Sequence, residues 1–251
     1  MPQARKVVCT VTEVLWISPT VMKIRFEPNK RFNYEPGQFL SIFVTDPKNS
    51  KKQLRRAYSF ANPYEIAKQD GYELCVRKVN GGAGTTFLSD LRTGDKFDAT
   101  APYGDFLYRT PPHGHSVCFI ATGTGIAPFR AMILSEKFRE HRPEKTTMLF
   151  GLSNEKEIFY QGELEAAGVE VIHAAPQASE GWKGFRGRVT DYLKQLPQNW
   201  AWHGTQFFIC GNPAMVTDVN KLLIQAHGVS ESSIHKELFI NPLMEQAQKA
   251  G

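Results

Sequence analysis

Residues 117–134 carry the clearest chemical pattern of the chain. An apolar run, Val117-Cys118-Phe119-Ile120-Ala121-Thr122, leads directly into Gly123-Thr124-Gly125-Ile126-Ala127-Pro128, and a helical pattern, Phe129-Arg130-Ala131-Met132-Ile133-Leu134, follows. Glycines let the backbone turn sharply and approach a ligand with no side chain in the way. Pro128 stands near the helix start, where its missing N–H costs nothing. The free N–H groups of a helix start, with the helix dipole behind them, favour a pyrophosphate. Thr122, Gly123, Thr124, Gly125 and Pro128 are therefore candidate nucleotide-binding residues. A Gly-x-Gly is also found in a plain strand–helix turn, and the third glycine of the usual dinucleotide fingerprint is missing here. Cysteine chemistry is limited: Cys9, Cys75, Cys118 and Cys210 are too dispersed for zinc or an iron–sulfur cluster. No metal site is expected, and most of these thiols read as small buried hydrophobes.

The elements that must position this turn fall into two halves. At 251 residues, 41% hydrophobic and 22% charged, the chain is globular and long enough for two ordinary domains. Segments 7–14, 21–26, 39–44, 58–61, 72–79 and 96–101 read as strands, several alternating, with turn residues between them. With one helix at 86–91, they predict a small antiparallel β-barrel. Pro111-Pro112-His113-Gly114 marks a linker. After it, apolar runs at 117–121, 147–150, 169–173 and 207–210 look buried on both faces. They alternate with helical patterns at 129–141, 160–167, 189–195 and 215–227, which predicts a doubly wound α/β parallel sheet. The expected domains are 1–112 and 113–251. No run approaches the roughly 18 apolar residues of a membrane helix, and the N-terminus lacks the apolar core of a signal peptide. Both point to the cytoplasm and to no membrane insertion. The net charge of +5 is spread along the chain rather than gathered, which argues against nucleic acid.

Five motifs in order then resemble the ferredoxin–NADP reductase superfamily over nearly the whole chain. They are Pro36-Gly37-Gln38-Phe39, Arg56-Ala57-Tyr58-Ser59, Gly82-Ala83-Gly84-Thr85-Thr86, Pro102-Tyr103-Gly104-Asp105-Phe106 and Cys210-Gly211-Asn212-Pro213-Ala214-Met215, with the Gly123–Gly125 turn between the last two. The resemblance implies a flavin barrel followed by a pyridine-nucleotide domain. It implies that Arg56 pairs with the flavin phosphates, as a guanidinium suits two-pronged contact with phosphate oxygens. Tyr58 would lie along the isoalloxazine and ribityl chain, and Ser59 would put its hydroxyl near flavin N5, where hydride arrives. Gly82, Gly84, Thr85 and Thr86 would open a helix toward phosphate. Thr85, where the family usually has serine, also suits a helix N-cap. Ala57, and Val76 and Lys78 on the preceding strand, complete the flavin set. Cys210 would face the nicotinamide and hold it in line, with Gly211 and Met215 beside it. Glu237-Leu238-Phe239 resembles the family's Glu-x-Phe ending: Glu237 would tune charge or relay a proton, or stand as a solvated carboxylate, and Phe239 would join the cofactor site. Ile240 to Gly251 would cover the flavin, as an extension does in some relatives, or fray.

The implied activity is hydride transfer from NADH or NADPH to bound FAD, then electron transfer onward. FAD is expected over FMN because most members with this arrangement use it. Members that take NADPH often carry Ser-Arg where this chain has Ala174-Ala175-Pro176, and Ser153 stands where another arginine is common. Lys183, Arg186 and Arg188 follow, so the balance tips only slightly toward NADH. No Cys-x4-Cys-x2-Cys set is present, so any one-electron carrier is a separate protein: a ferredoxin, a flavodoxin or an oxygenase component. A mildly basic surface suits a small acidic partner. Two rival readings are a reductase of free flavins or small molecules, and an electron-relay subunit with little turnover of its own.

Overall fold

The computed structural model describes residues 3–239. By compactness the chain divides into two units. One joins the N-terminal segment through Tyr108 to Ala127–Glu140; the other joins Arg109–Ile126 to the chain from His141 onward.

The first unit is a six-stranded antiparallel sheet. In chain order its strands are β1 (Arg5–Trp16), β2 (Val21–Pro28), β3 (Phe39–Asp46), β4 (Asn49–Ser59), β5 (Tyr72–Arg77) and β6 (Lys96–Tyr103). They lie side by side as β4-β3-β6-β1-β2-β5. A bridge from Phe60, just past β4, to Leu74 on β5 brings the two edges together, so the sheet curls into the expected barrel. Its inner face gathers Val7, Cys9, Met22, Ile24, Leu40, Ile42, Leu74 and Val76, alternate residues of their strands; on β5 the intervening Glu73 and Cys75 are buried as well. Two short helices, α1 (Tyr64–Asp70) and α2 (Ala83–Asp90), flank β5.

Several boundaries differ from expectation. The strand expected at 58–61 is the end of the longer β4, whose first half, Asn49-Ser50-Lys51-Lys52-Gln53, is polar and exposed. An edge strand needs no apolar alternation, and charge there blocks unwanted pairing. Helix α1 was not expected; seven residues are too few for a clear period. The helix expected at 129–141 is two, α3 (Ile126–Ile133) and α4 (Glu136–Glu140). Ser135 separates them: its hydroxyl donates to Met132 O (2.7 Å) and accepts the Phe138 N–H (3.2 Å), ending one helix and capping the next.

Helix α3 is held in the first unit by a buried ion pair. Arg130 donates to Glu73 Oε1 (2.9 Å) and to Ala61 O (2.6 Å). The Glu73 side chain is 1% exposed and also accepts from Arg25 Nε (3.1 Å).

The second unit is a parallel sheet of β7 (Ser116–Thr122), β8 (Thr146–Gly151), β9 (Glu170–Ala174), β10 (Thr205–Gly211) and β11 (Ile234–Leu238). The order β11-β10-β7-β8-β9 places β7, the first of these strands in the chain, between the two halves. Helices α5 (Gln161–Ala166), α6 (Val189–Gln195) and α7 (Pro213–His227) make crossovers. This is the doubly wound arrangement expected, with β11 as an added edge strand that its short mixed sequence did not reveal. At the other edge of the sheet Glu170 of β9 is exposed and Val171 and Ile172 are half-buried, unlike the two-faced burial expected there. Among the described residues no helix is long and apolar enough to cross a membrane, and no cluster of His, Cys, Asp and Glu is arranged for a metal.

Candidate functional site

In the barrel unit, strand register decides which side chains share a face. Arg56 pairs with Ile42 and Tyr58 with Leu40, both fully buried, so Arg56 and Tyr58 lie on the core side of β4. Ala57 alternates to the exposed side. Tyr58 packs against the core, and burial pushes its phenol well above the ordinary range, with Arg56 opposing that shift. It therefore remains a neutral hydroxyl. Arg56 is half-buried and donates one N–H to Arg55 O (2.9 Å). Ser59, the last residue of β4, is 6% exposed.

The start of α2 meets these residues closely. A Cβ on Gly84 would sit 2.6 Å from Tyr58 Oη and 2.8 Å from Arg56 Cγ, so only glycine lets the helix start approach β4. The first helical bond of this turn is Thr86 N–H to Gly82 O (2.8 Å), which leaves the N–H groups ahead of it outside the helical ladder. The Thr85 hydroxyl accepts the Val79 N–H (3.1 Å) and faces Gly82 O at 3.1 Å and Val79 O at 3.2 Å. It thus closes its own loop from inside α2; the N-cap is Gly82, and Thr85 does not take the N-cap position open to it from sequence. Val76 is 1% exposed with its side chain in the barrel core, while Lys78, just past β5, is exposed. A half-buried guanidinium, a neutral phenol and a glycine-only helix start therefore stand together, groups whose polarity suits a phosphate.

In the second unit, β7 and β10 are neighbours from which the chain departs in opposite directions, the place where open α/β sheets bind ligands. The turn Gly123–Gly125 follows β7, with Gly123 at φ +53°. A Cβ on Gly125 would collide with the Cys210 carbonyl (2.7 Å to its carbon), and one on Gly211 would lie 2.9 Å from Thr122 O. Two glycines from separate motifs thus allow one backbone crossing. Asn212 fastens it: its N–H donates to Thr122 Oγ1 (3.1 Å), and its Oδ1 accepts from Ala214 N–H (2.9 Å) and Met215 N–H (3.4 Å), capping α7 with Pro213 at the first helical position. Thr124 lies within the turn, and Pro128 lies in the first turn of α3.

Cys210 and Glu237 face each other in the β10–β11 register, with Cys210 Sγ 4.0 Å from Glu237 Oε2. Cys210 is fully buried. Burial first, and the Glu237 charge second, push its thiol well above the usual cysteine range, so it stays protonated. The Phe239 N–H donates to Gly211 O (2.9 Å), bringing the Glu-x-Phe segment onto the same turn. Cys210, Gly211, Glu237 and Phe239 are therefore one cluster, and Met215 packs against this unit's core. Ile240 to Gly251 lie outside the described residues.

Beyond β9, Ala174-Ala175-Pro176 offers no cationic side chain. Arg186 donates to Ala178 O and to Ser179 O (2.6 Å), and Glu155 Oε2 accepts the Ser179 N–H (3.2 Å). The Arg188 N–H is taken by Asp191 Oδ2 (3.0 Å) at the start of α6. Asn212 had not been singled out as a functional residue. The signal was available, since an Asn directly before a Pro at a helix start is a capping signature. Arg130 and Glu73 were also missed, and nothing local in sequence pairs residues 57 positions apart.

Comparison with known proteins agrees over most of the chain. The family described as an oxidoreductase FAD-binding domain matches residues 8–108, and the oxidoreductase NAD-binding domain matches residues 119–221. Ferredoxin–NADP reductase B of Sorangium cellulosum is 32% identical over 250 residues, covering 95% of this chain and 100% of that protein. The phenol hydroxylase P5 protein of Acinetobacter pittii is 31% identical over 242 residues; the match covers 92% of this chain but only 65% of that longer protein. Among solved structures, a ferredoxin NADP+ reductase from Neisseria gonorrhoeae with bound FAD and NADP shares the fold, with a TM-score of 0.79 at 20% identity, covering 95% of this chain and 100% of that one.

Proposed function

This chain belongs to the ferredoxin–NADP reductase superfamily, and on that premise we propose that it takes hydride from NADH onto FAD and passes the electrons to a separate protein carrier. When bound, FAD supplies the two-electron acceptor for the nicotinamide hydride and the outlet for electrons to the carrier.

The chain's own residues supply binding, orientation and electrostatics. Arg56 and the N–H groups at the start of α2 hold phosphate, Tyr58 gives ring contact with a neutral hydroxyl, and Ser59 offers a hydroxyl at the strand end. In the other unit, the Thr122–Gly125 backbone holds the coenzyme pyrophosphate. Cys210, a neutral thiol, positions the nicotinamide rather than attacking it, and Glu237 keeps an acceptor oxygen beside that thiol. The observation that carries a carrier reductase over a free-flavin reductase is the close fit of Gly84 against Arg56 and Tyr58. Such a cradle serves a flavin that stays bound.

NADH is favoured because Arg186 already serves two loop carbonyls, and Ala174 and Ala175 offer nothing to a 2′-phosphate. A basic chain of net charge +5 suits an acidic carrier, such as a ferredoxin, a flavodoxin or an oxygenase component. Four buried free thiols fit work in the reducing cytoplasm. The test is the visible spectrum of the purified protein before and after anaerobic NADH or NADPH. The expected result is a flavin spectrum that survives desalting and bleaches faster with NADH. A colourless protein that neither FAD nor FMN reconstitutes would sink the proposal.

A further inference from the structure

We propose that Trp16, at the tip of the β1–β2 hairpin, is the platform on which the adenine ring of FAD stacks, and so sets the preference for FAD over FMN. The inference rests on the flavoprotein reading above and concerns a part of the dinucleotide that FMN lacks.

The starting observation is an indole in an unusual place. Trp16 is 46% exposed, the largest apolar side chain so exposed among the described residues. Its position is tied to the phosphate-binding loop. Across the sheet, Trp16 pairs with Met22, and Met22 pairs with Val76, so the three occupy one row over β1, β2 and β5. Met22 and Val76 are buried in the barrel core, which leaves Trp16 as the exposed end of an apolar row. Two strand spacings put its backbone roughly 10 Å from that of β5.

Hydrogen bonds carry the same link further. The Lys78 N–H, just past β5, donates to Thr20 O at the hairpin tip (2.8 Å). Val79, next in the chain, donates to Thr85 Oγ1 (3.1 Å) and accepts the Gly82 N–H (3.0 Å). A continuous run of bonds therefore joins the hairpin tip to the loop at 82–86, where the phosphates bind.

The tip is also built in advance. Ser18 Oγ accepts the N–H of Thr20 (3.3 Å) and of Val21 (3.1 Å), and the Ile17 N–H donates to Val21 O (2.9 Å). An exposed indole at the end of a braced hairpin, which Lys78 N–H ties to the strand leading into the phosphate loop, has the chemistry of a nucleobase platform: a π-face for the base and an exposed cation toward its phosphates.

The test is equilibrium dialysis of the flavin-loaded full chain against graded FAD and, separately, FMN. Trp16→Ala is expected to weaken FAD binding about ten-fold or more while leaving FMN binding unchanged, because stacking on one base is lost. Trp16→Phe is expected to restore most of the FAD affinity, and the far-ultraviolet spectrum and urea midpoint serve as folding controls. An unchanged FAD-to-FMN affinity ratio in a folded Trp16→Ala protein would overturn the platform, and so would slower reduction of a protein carrier at that unchanged ratio, which assigns the indole to docking. If the unsubstituted chain retained neither flavin, the reading of the whole protein would fall first, a result distinct from the loss of the platform alone.

Discussion

Replacing Gly84 by alanine is the most direct test of the flavin cradle. The added Cβ would lie 2.6 Å from Tyr58 Oη, 2.8 Å from Arg56 Cγ and 3.2 Å from Arg56 Cβ. None of these atoms is the loose end of a flexible side chain. Arg56 Cβ is fixed by the backbone of β4 and Cγ is the first atom beyond it, while Tyr58 Oη ends a rigid ring packed on the core. The start of α2 must therefore move away from β4 by several tenths of an ångström. Overpacking of this kind costs about 1–3 kcal/mol. Up to ~1 kcal/mol returns because alanine is the better helix former, so the fold itself loses about 0–2 kcal/mol. Flavin binding gains nothing from helix propensity. Moving the helix N–H groups away from Arg56 removes one charge-assisted contact to phosphate, worth about 1.5–3 kcal/mol, which is roughly ten- to hundred-fold in Kd. The assay pairs equilibrium dialysis of FAD with urea unfolding followed by circular dichroism. The expected result is a weakened FAD complex in a protein that still unfolds cooperatively, with its midpoint lowered by no more than that loss implies. FAD affinity within two-fold of the parent would refute the reasoning, because it would mean that the helix start and Arg56 do not act on one ligand.

Three further outcomes follow from the same geometry. Arg130→Met should destabilise the protein by about 1.5–3 kcal/mol, since it removes the charged donor at Oε1 of the buried Glu73 and leaves Arg25 at Oε2; urea unfolding measures it, and a loss under ~1 kcal/mol contradicts it. Burial raises the Cys118 thiol to about 12 and holds Cys9 and Cys210 well above the ordinary 9.0. The unfolded chain therefore loses these protons first. Unfolding free energy should be level below pH ~9 and fall by about 1.4 kcal/mol per unit above it for each thiol still protonated in the fold; a stability that rises on that side has the wrong sign. Changing Gln177, exposed just past the buried Ala174-Ala175, to Arg should raise kcat/KM for NADPH by about ten-fold or more by giving a 2′-phosphate a guanidinium, and steady-state kinetics with both coenzymes that leave their ratio unmoved would remove the basis for the NADH preference.

The two-unit fold was legible because each half repeats one period many times. Alternation over six short strands and turn glycines specify a curled antiparallel sheet, and apolar runs alternating with helices specify a parallel one. What was lost lay where tertiary context outranks local pattern. The start of β4 is strand because β3 offers it partners, although Lys51, Lys52 and Gln53 have no apolar face. β11 exists because β10 leaves an edge open to pairing. The break between α3 and α4 turns on one hydroxyl, Ser135, inside an otherwise continuous helical pattern.

The site divides along a similar line. Glycines could be read from sequence because a close backbone approach excludes every other residue, and Gly84, Gly125 and Gly211 each stand where a Cβ would collide. Which partner each glycine faces was hidden, since Gly125 meets Cys210 and Gly211 meets Thr122 across more than eighty residues. The same holds for Cys210 and Glu237. Each could be picked out by motif, but their shared chemistry depends on β10 and β11 being neighbours in register. That register has a consequence for the thiol. A carboxylate beside it raises its pKa further, on top of burial, so the pair keeps a proton on sulfur where an isolated exposed cysteine would lose it. A residue meant to attack carbon would need the opposite, a lowered pKa beside a cation or a helix start. The placement of Glu237 therefore argues against covalent chemistry at this sulfur.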